Sequence, residues 1–174
     1  ITAANTAIPT ISAIKSTGAS PKLVDIGNDY LIDPLKIEKE ITNKTKVIIP
    51  VHLYGQTCEM EKIIKISKKY KLKIIEDCAQ SQGAKYKNRF CGTIGELGCF
   101  SFYPTKILGA YGDGGFILTN NYNLYKKIKR IRFYGIETVD KKNKYFNKYY
   151  SNEDGINSRL DEIQAGILNF KLSI

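Results

Sequence analysis

Lys106 lies in the run Phe100-Ser101-Phe102-Tyr103-Pro104-Thr105-Lys106-Ile107-Leu108-Gly109-Ala110, where an apolar, strand-like stretch from Leu97 to Phe102 breaks at Pro104. The break delivers one amine into a glycine-containing segment rather than onto an ordinary solvated face. Upstream, Ile74-Ile75-Glu76-Asp77-Cys78-Ala79-Gln80 is a second buried-strand run that ends in an acid. That is where a strand of an open α/β sheet meets its ligand crevice. An amine that can form a Schiff base, with a carboxylate that can keep a pyridine nitrogen protonated, is the pair that pyridoxal phosphate chemistry needs. Asp77 could equally cap the turn after its strand, and Glu76 should point to the opposite face.

The pairing has meaning only if the flanking elements bring both residues to one crevice. Asn5 to Ser16 reads as a short helix with Pro9 near its start and Gly18 as its stop. Lys22 to Ile26 reads as a strand, and Asp33 to Ile41 as a helix with Asp33 as cap and Pro34 in its first turn. Lys46 to Val51 is an apolar strand ending at His52, Glu59 to Tyr70 a basic amphipathic helix with Met60, Ile63 and Ile64 inward, and Leu72 to Glu76 the next strand. This alternation predicts an α/β fold of three layers, a mainly parallel sheet with helices on both faces. His52 and Asp77 then both fall at the carboxyl ends of strands, where ligands bind. Gln82 to Leu97 reads as loop, Leu97 to Phe102 and Gly115 to Thr119 as strands around the lysine segment, and Asn123 to Arg132 as a helix with Leu124, Ile128 and Ile131 on one side. Tyr134 to Asp154 is a long basic loop. Ser158 with Asp161 resembles a capping box opening a helix whose seam is Leu160, Ile163, Ile167 and Phe170.

Four motifs occur in order: Asp77-Cys78-Ala79-Gln80, the run ending at Lys106, Gly112-Asp113-Gly114-Gly115, and Gly155 to Ala165. Together they resemble the DegT/DnrJ/EryC1 sugar aminotransferases, which are fold-type-I enzymes, over essentially the whole chain. The resemblance implies that residues 1–174 are the central part of the large, pyridoxal-phosphate-binding domain, with an N-terminal segment and a C-terminal small domain lying outside them. It implies that Lys106 forms the Schiff base with the cofactor and then moves a proton during transfer. Asp77 would pair with the pyridinium nitrogen, Gln80 would sit by the ring near its phenolic oxygen, and Ser101 would bond the cofactor phosphate. Asn157 would reach the phosphate from the neighbouring subunit, making the site the property of a homodimer, and a helix N-terminus just after it would help. Arg159 would share that work or bind a nucleotide phosphate or the donor's carboxylate. Two departures stand out. Ala7 occupies a place where many relatives carry an aromatic that stacks on the cofactor, and the family's Gly-Thr loop for the phosphate is not in this sequence. The implied reaction is amino transfer, with glutamate as donor, to a nucleotide-linked keto sugar in polysaccharide or glycoside biosynthesis.

Composition bounds the rest. A chain of 174 residues, 43% hydrophobic, can bury one domain's core. No apolar run approaches the ~20 residues of a membrane span, and nothing resembles a signal peptide, so the expectation is cytoplasmic. The four cysteines form no CxxC pair and His52 is the only histidine, so no metal site is expected and the thiols read as buried and free. His52 reads either as a core imidazole or as a neighbour of substrate or cofactor, and Tyr103 is similar. The net charge of +10 is concentrated between Tyr122 and Tyr150, with nine basic residues against Glu137 and Asp140. A solvated surface explains that better than nucleic acid. Rival readings are a sugar dehydratase of the same family, in which histidine replaces the lysine, a regulatory or nucleic-acid-binding protein, and a fragment without activity.

Overall fold

The computed structural model describes residues 1–136, 151 and 153–174. Its elements are β1 (Thr2–Ala3), α1 (Ile8–Ser16), β2 (Leu23–Val24), α2 (Pro34–Ile37), β3 (Val47–Ile48), α3 (Met60–Tyr70), β4 (Lys73–Asp77), β5 (Lys85–Tyr86), β6 (Arg89–Phe90), β7 (Leu97–Ser101), β8 (Gly115–Leu118), α4 (Tyr122–Ile131) and α5 (Glu162–Lys171). β3, β4 and β7 are parallel neighbours, and β8 closes that sheet antiparallel to β7. β1 pairs in parallel with β2, and a parallel bridge between Thr2 and Ile49 joins the pair to the main sheet beyond β3. The expected mainly parallel α/β sheet is therefore present, running β2-β1-β3-β4-β7-β8.

Alternation along β4 assigns the faces. Ile74 is buried in the main core with Ile48 and with Met60, Ile63 and Ile66 of α3, so α3 covers the face shared by Ile74 and Glu76. Asp77 points the other way and is bonded by Thr10 of α1. Helices thus flank both faces. Burying each large aliphatic of α3 stabilises the fold by ~1.5–3 kcal/mol relative to exposure. A smaller cluster of Phe102, Ala110 and Leu168, with Leu108 and Leu160 against it, packs α5 on the segment around Lys106.

Several boundaries differ from expectation. Gln82 to Leu97 holds the antiparallel pair β5–β6, whose turn places Lys87 at φ 54°. Two-residue strands are too short to show periodicity. The expected helix from Asp33 is a short α2 capped by the Asp33 carboxylate, which accepts from the Leu35 amide, followed by a 3₁₀ turn at Glu38–Glu40. α5 begins at Glu162, with Asp161 as its cap accepting from Ile163, because the Ser158 amide is already committed to the Arg132 carbonyl. Its buried residue is Leu168, whereas Ile163 and Phe170 of the expected seam are exposed. The long basic loop falls largely at 137–150 and 152, outside the described residues.

Candidate active site

Asp77 ends β4, and its register partner on the parallel neighbour β7 is Cys99, with Ser101 two residues further on the same face. The Asp77 carboxylate is half-buried and fixed at both oxygens. Oδ2 accepts from Thr10 Oγ1 at 2.7 Å, and Oδ1 accepts from the Ala79 amide at 3.1 Å. Neither contact is a cation, so the acid is oriented and charge-assisted but electrically unpaired among the described residues.

Lys106 follows the end of β7 on a loop closed at its base by the Ala110 amide, which donates to the Phe102 carbonyl at 2.7 Å. Within the loop the Lys106 amide donates to the Tyr103 carbonyl at 2.8 Å, and the lysine is half-buried. Gly109 is required there, since a Cβ would lie 2.5 Å from the Pro104 carbonyl oxygen. Side chains from two directions brace the loop. Gln82, shortly after β4, donates from Nε2 to the Ser101 carbonyl at 2.7 Å and accepts at Oε1 from the Leu108 amide at 2.7 Å. From α5, Lys171 Nζ donates to the Gly109 carbonyl at 2.6 Å, and Gln164 Oε1 accepts from the Tyr111 amide at 2.8 Å. Asp77 at the end of β4, Ser101 at the end of its parallel neighbour β7 and Lys106 on the loop that follows β7 thus lie along one edge of the sheet.

The other expected residues divide. Gln80 lies at this edge, where its Oε1 accepts from the Tyr54 amide at 3.2 Å. Ser101 Oγ accepts from the Tyr103 amide at 3.2 Å, and Tyr103 itself is exposed. Asn157 is exposed, in a bridge with Phe133, and its Oδ1 accepts from Arg159 Nε at 3.1 Å. The guanidinium of Arg159 lies over the Phe133 ring, 5.1 Å from its centroid. No helix starts directly after Asn157, so the expected help from a helix N-terminus is lost. Ala7 is the residue preceding α1, and its side chain caps nothing.

Of its two readings, His52 takes that of a core imidazole. It is fully buried, Nδ1 accepts from the Cys58 amide at 3.1 Å, and Nε2 therefore carries the hydrogen it donates to Glu76 Oε2 at 3.1 Å. Both nitrogens are used inside the protein, which leaves none for a substrate. Glu76, set aside in the sequence, is the centre of this arrangement. It also accepts from the amides of Gly92 (2.9 Å), Ile94 (2.7 Å) and Gly95 (2.7 Å), anchoring the segment before β7 beneath the sheet. Burial alone would push the Glu76 carboxyl up; the hydrogen bonds from His52 and the amides of Gly95, Gly92 and Ile94 together outweigh it and hold the group below the usual carboxylate range. Cys78 lies close enough to complete a three-residue donor set with His52 and Glu76. His52 and Glu76 are committed to each other and to backbone amides, so the trio fits a hydrogen-bonded core.

Gln82 and Glu76 are the two residues sequence reasoning missed. Their partners lie 16 to 26 residues away in the chain, beyond any local pattern.

The model of the DegT/DnrJ/EryC1/StrS aminotransferase family matches residues 1–174. The chain is 52% identical over 174 residues to the dTDP-3-amino-3,6-dideoxy-alpha-D-galactopyranose transaminase of Aneurinibacillus thermoaerophilus, covering 99% of this chain and 46% of that protein. It is 45% identical to the dTDP-3-amino-3,4,6-trideoxy-alpha-D-glucose transaminase of Micromonospora megalomicea subsp. nigra, covering 99% of this chain and 44% of that one. The solved structure of S. venezuelae DesV in complex with a ketimine intermediate superposes with a TM-score of 0.89 at 38% identity, over 98% of this chain and 44% of that one. The chain therefore spans less than half the length of these relatives.

Proposed function

Because the chain belongs to the DegT/DnrJ/EryC1/StrS aminotransferase family, we propose that its protein transfers an amino group, with glutamate as donor, to a nucleotide-linked keto sugar, using pyridoxal 5′-phosphate. The observation that carries this reading is the strand-edge group of Asp77, Ser101 and Lys106, with the lysine loop tied by Gln82 to the segment that follows Asp77.

The donor set fits the cofactor: a carboxylate for a pyridinium nitrogen, a hydroxyl for a phosphate, and a half-buried amine. Bound there, pyridoxal phosphate would supply an aldehyde carbon and an electron-withdrawing ring. Asp77, oriented by Thr10 and Ala79, holds a proton on a nitrogen facing it. Lys106 Nζ removes a proton from the carbon bearing the donor's amino group and returns one to the sugar carbon that receives nitrogen. Gln80 and Ser101 orient the bound group from the same edge. Asn157 and Arg159, exposed and bonded to each other, are free of this edge and suit a homodimer in which they serve the partner's site. Such a protein works in the cytoplasm, where nucleotide sugars are made.

The full-length protein, purified without added cofactor, should be yellow. Lys106→Ala should abolish the visible band and the transfer, and glutamate should bleach the wild type. A colourless protein that ignores added pyridoxal phosphate would overturn the reading. Loss of a sugar hydroxyl without uptake of ¹⁵N from labelled glutamate would replace transfer with dehydration.

A further inference from the structure

We infer that Gln82 is a positioning residue for Lys106, fixing where the reacting amine stands relative to Asp77; this rests on the function proposed for Lys106. A loop that must present one amine at a defined point cannot rely on its own backbone, because chain outside regular structure is held only by the partners its amides and carbonyls find. The loop from Tyr103 to Gly109 finds its partner at both ends in one side chain. Gln82 Nε2 donates to the Ser101 carbonyl at 2.7 Å, before the loop, and to the Leu108 carbonyl at 3.4 Å, after it; Oε1 accepts from the Leu108 amide at 2.7 Å. The carboxamide therefore meets both the N–H and the C=O of Leu108 and also closes onto β7.

These contacts fix the orientation of the amide. Leu108 N–H requires an acceptor and the Ser101 carbonyl requires a donor, so a reversed carboxamide would oppose like with like at both. No carboxylate can replace it, since a second oxygen would face the Ser101 carbonyl. A shorter side chain would not reach both ends.

The placement of Gln82 gives the clamp its consequence. It lies in the turn that begins at Asp77 and is itself held, with the Ser81 amide donating to the Cys78 carbonyl at 3.1 Å. The segment that carries the carboxylate thus grips the loop that carries the amine. α5 braces the same loop through Lys171 and Gln164 at Gly109 and Tyr111, beyond the lysine. Without Gln82 the loop would stay packed against α5 but would lose its tie to the Asp77 side. A misplacement of roughly 1 Å can cost about 100-fold in rate.

The test compares wild type, Gln82→Ala and the nearly isosteric Gln82→Glu in the full-length protein, first without cofactor and then with it. Hydrogen exchange of the cofactor-free protein should show the Leu108 amide exchanging at least about tenfold faster in Gln82→Ala, which removes its acceptor, with the Cys78 amide, bonded to the Cys99 carbonyl at 2.8 Å, unchanged in both variants. In the loaded protein, kcat should fall about 10- to 100-fold with the donor KM within about twofold, and the pH midpoint of the visible band should move. Unchanged Leu108 exchange would overturn the clamp. Faster exchange with an unmoved band and kcat would show a purely structural tie and overturn the positioning role. A wild type with no band at all would bring down the reading of Lys106 itself, and that result is independent of the exchange data.

Discussion

Thr10 Oγ1 donates to Asp77 Oδ2 across 2.7 Å, joining the first turn of α1 to the end of β4. The contact couples a helix with no fully buried residue to the acid at the sheet's edge. It gives α1 a role that its weak packing would not: the helix carries an orienting donor for a carboxylate. A hydrogen bond to a charged group contributes about 1.5–3 kcal/mol.

Thr10→Val keeps the shape and removes the donor. We expect kcat/KM to fall about tenfold, with Thr10→Ser close to wild type, because only the hydroxyl matters for the orientation of Asp77. Steady-state kinetics of the full-length protein with both variants checks this. Equal loss in Thr10→Ser and Thr10→Val would point to packing instead.

Glu76 makes stability depend on acid. Its folded-state acidity is stronger than that of an unfolded Glu near pH ~4.3, so its contribution is complete above that value and is lost as pH falls through the lower, folded value. Urea unfolding between pH 3 and 7 should show this acid limb. Glu76→Ala should cost about 3–5 kcal/mol, as expected when His52 and three amides lose a buried partner, and should flatten the limb.

Gly98 and Gly166 should respond to alanine in opposite senses. A Cβ on Gly98 would lie 2.3 Å from both the Cα and the carbonyl oxygen of Gly92, backbone that Glu76 holds in place. Gly98→Ala should destabilise by about 3 kcal/mol. Gly166, inside α5, meets nothing within 4 Å, so Gly166→Ala should stabilise by about 0.5–1 kcal/mol. Thermal or denaturant midpoints of the two variants decide the matter.

The cysteines should be inert in the native state. Burial pushes Cys58 up to about 12 and Cys91 and Cys99 up to about 11, with Cys78 raised further still. Since the thiolate is the nucleophile, an aromatic disulfide reagent at pH 8 should react with the folded protein at least about 100-fold more slowly than with the unfolded chain. Rapid native labelling of one thiol would show that its region opens.

The sequence by itself determined whatever a short stretch of chain can specify. Apolar runs ending in Asp77 and breaking at Pro104 marked two strands and the residues beyond their ends. The parity of β4 set Asp77 and Glu76 on opposite faces, and Asp33 followed by Pro34 marked a helix start; each depends on backbone geometry within a few residues. Tertiary structure decided the rest. Crossovers brought β4 beside β7, and only that register let Gln82 reach Ser101 and Leu108, or put Glu76 under the amides of Gly92 to Gly95. His52 was drawn inward for the same reason: Glu76, 24 residues away on β4, meets it only once the sheet has formed. Hydrogen bonds between distant segments follow from strand order and spacing, and neither is written in the local alternation of residues.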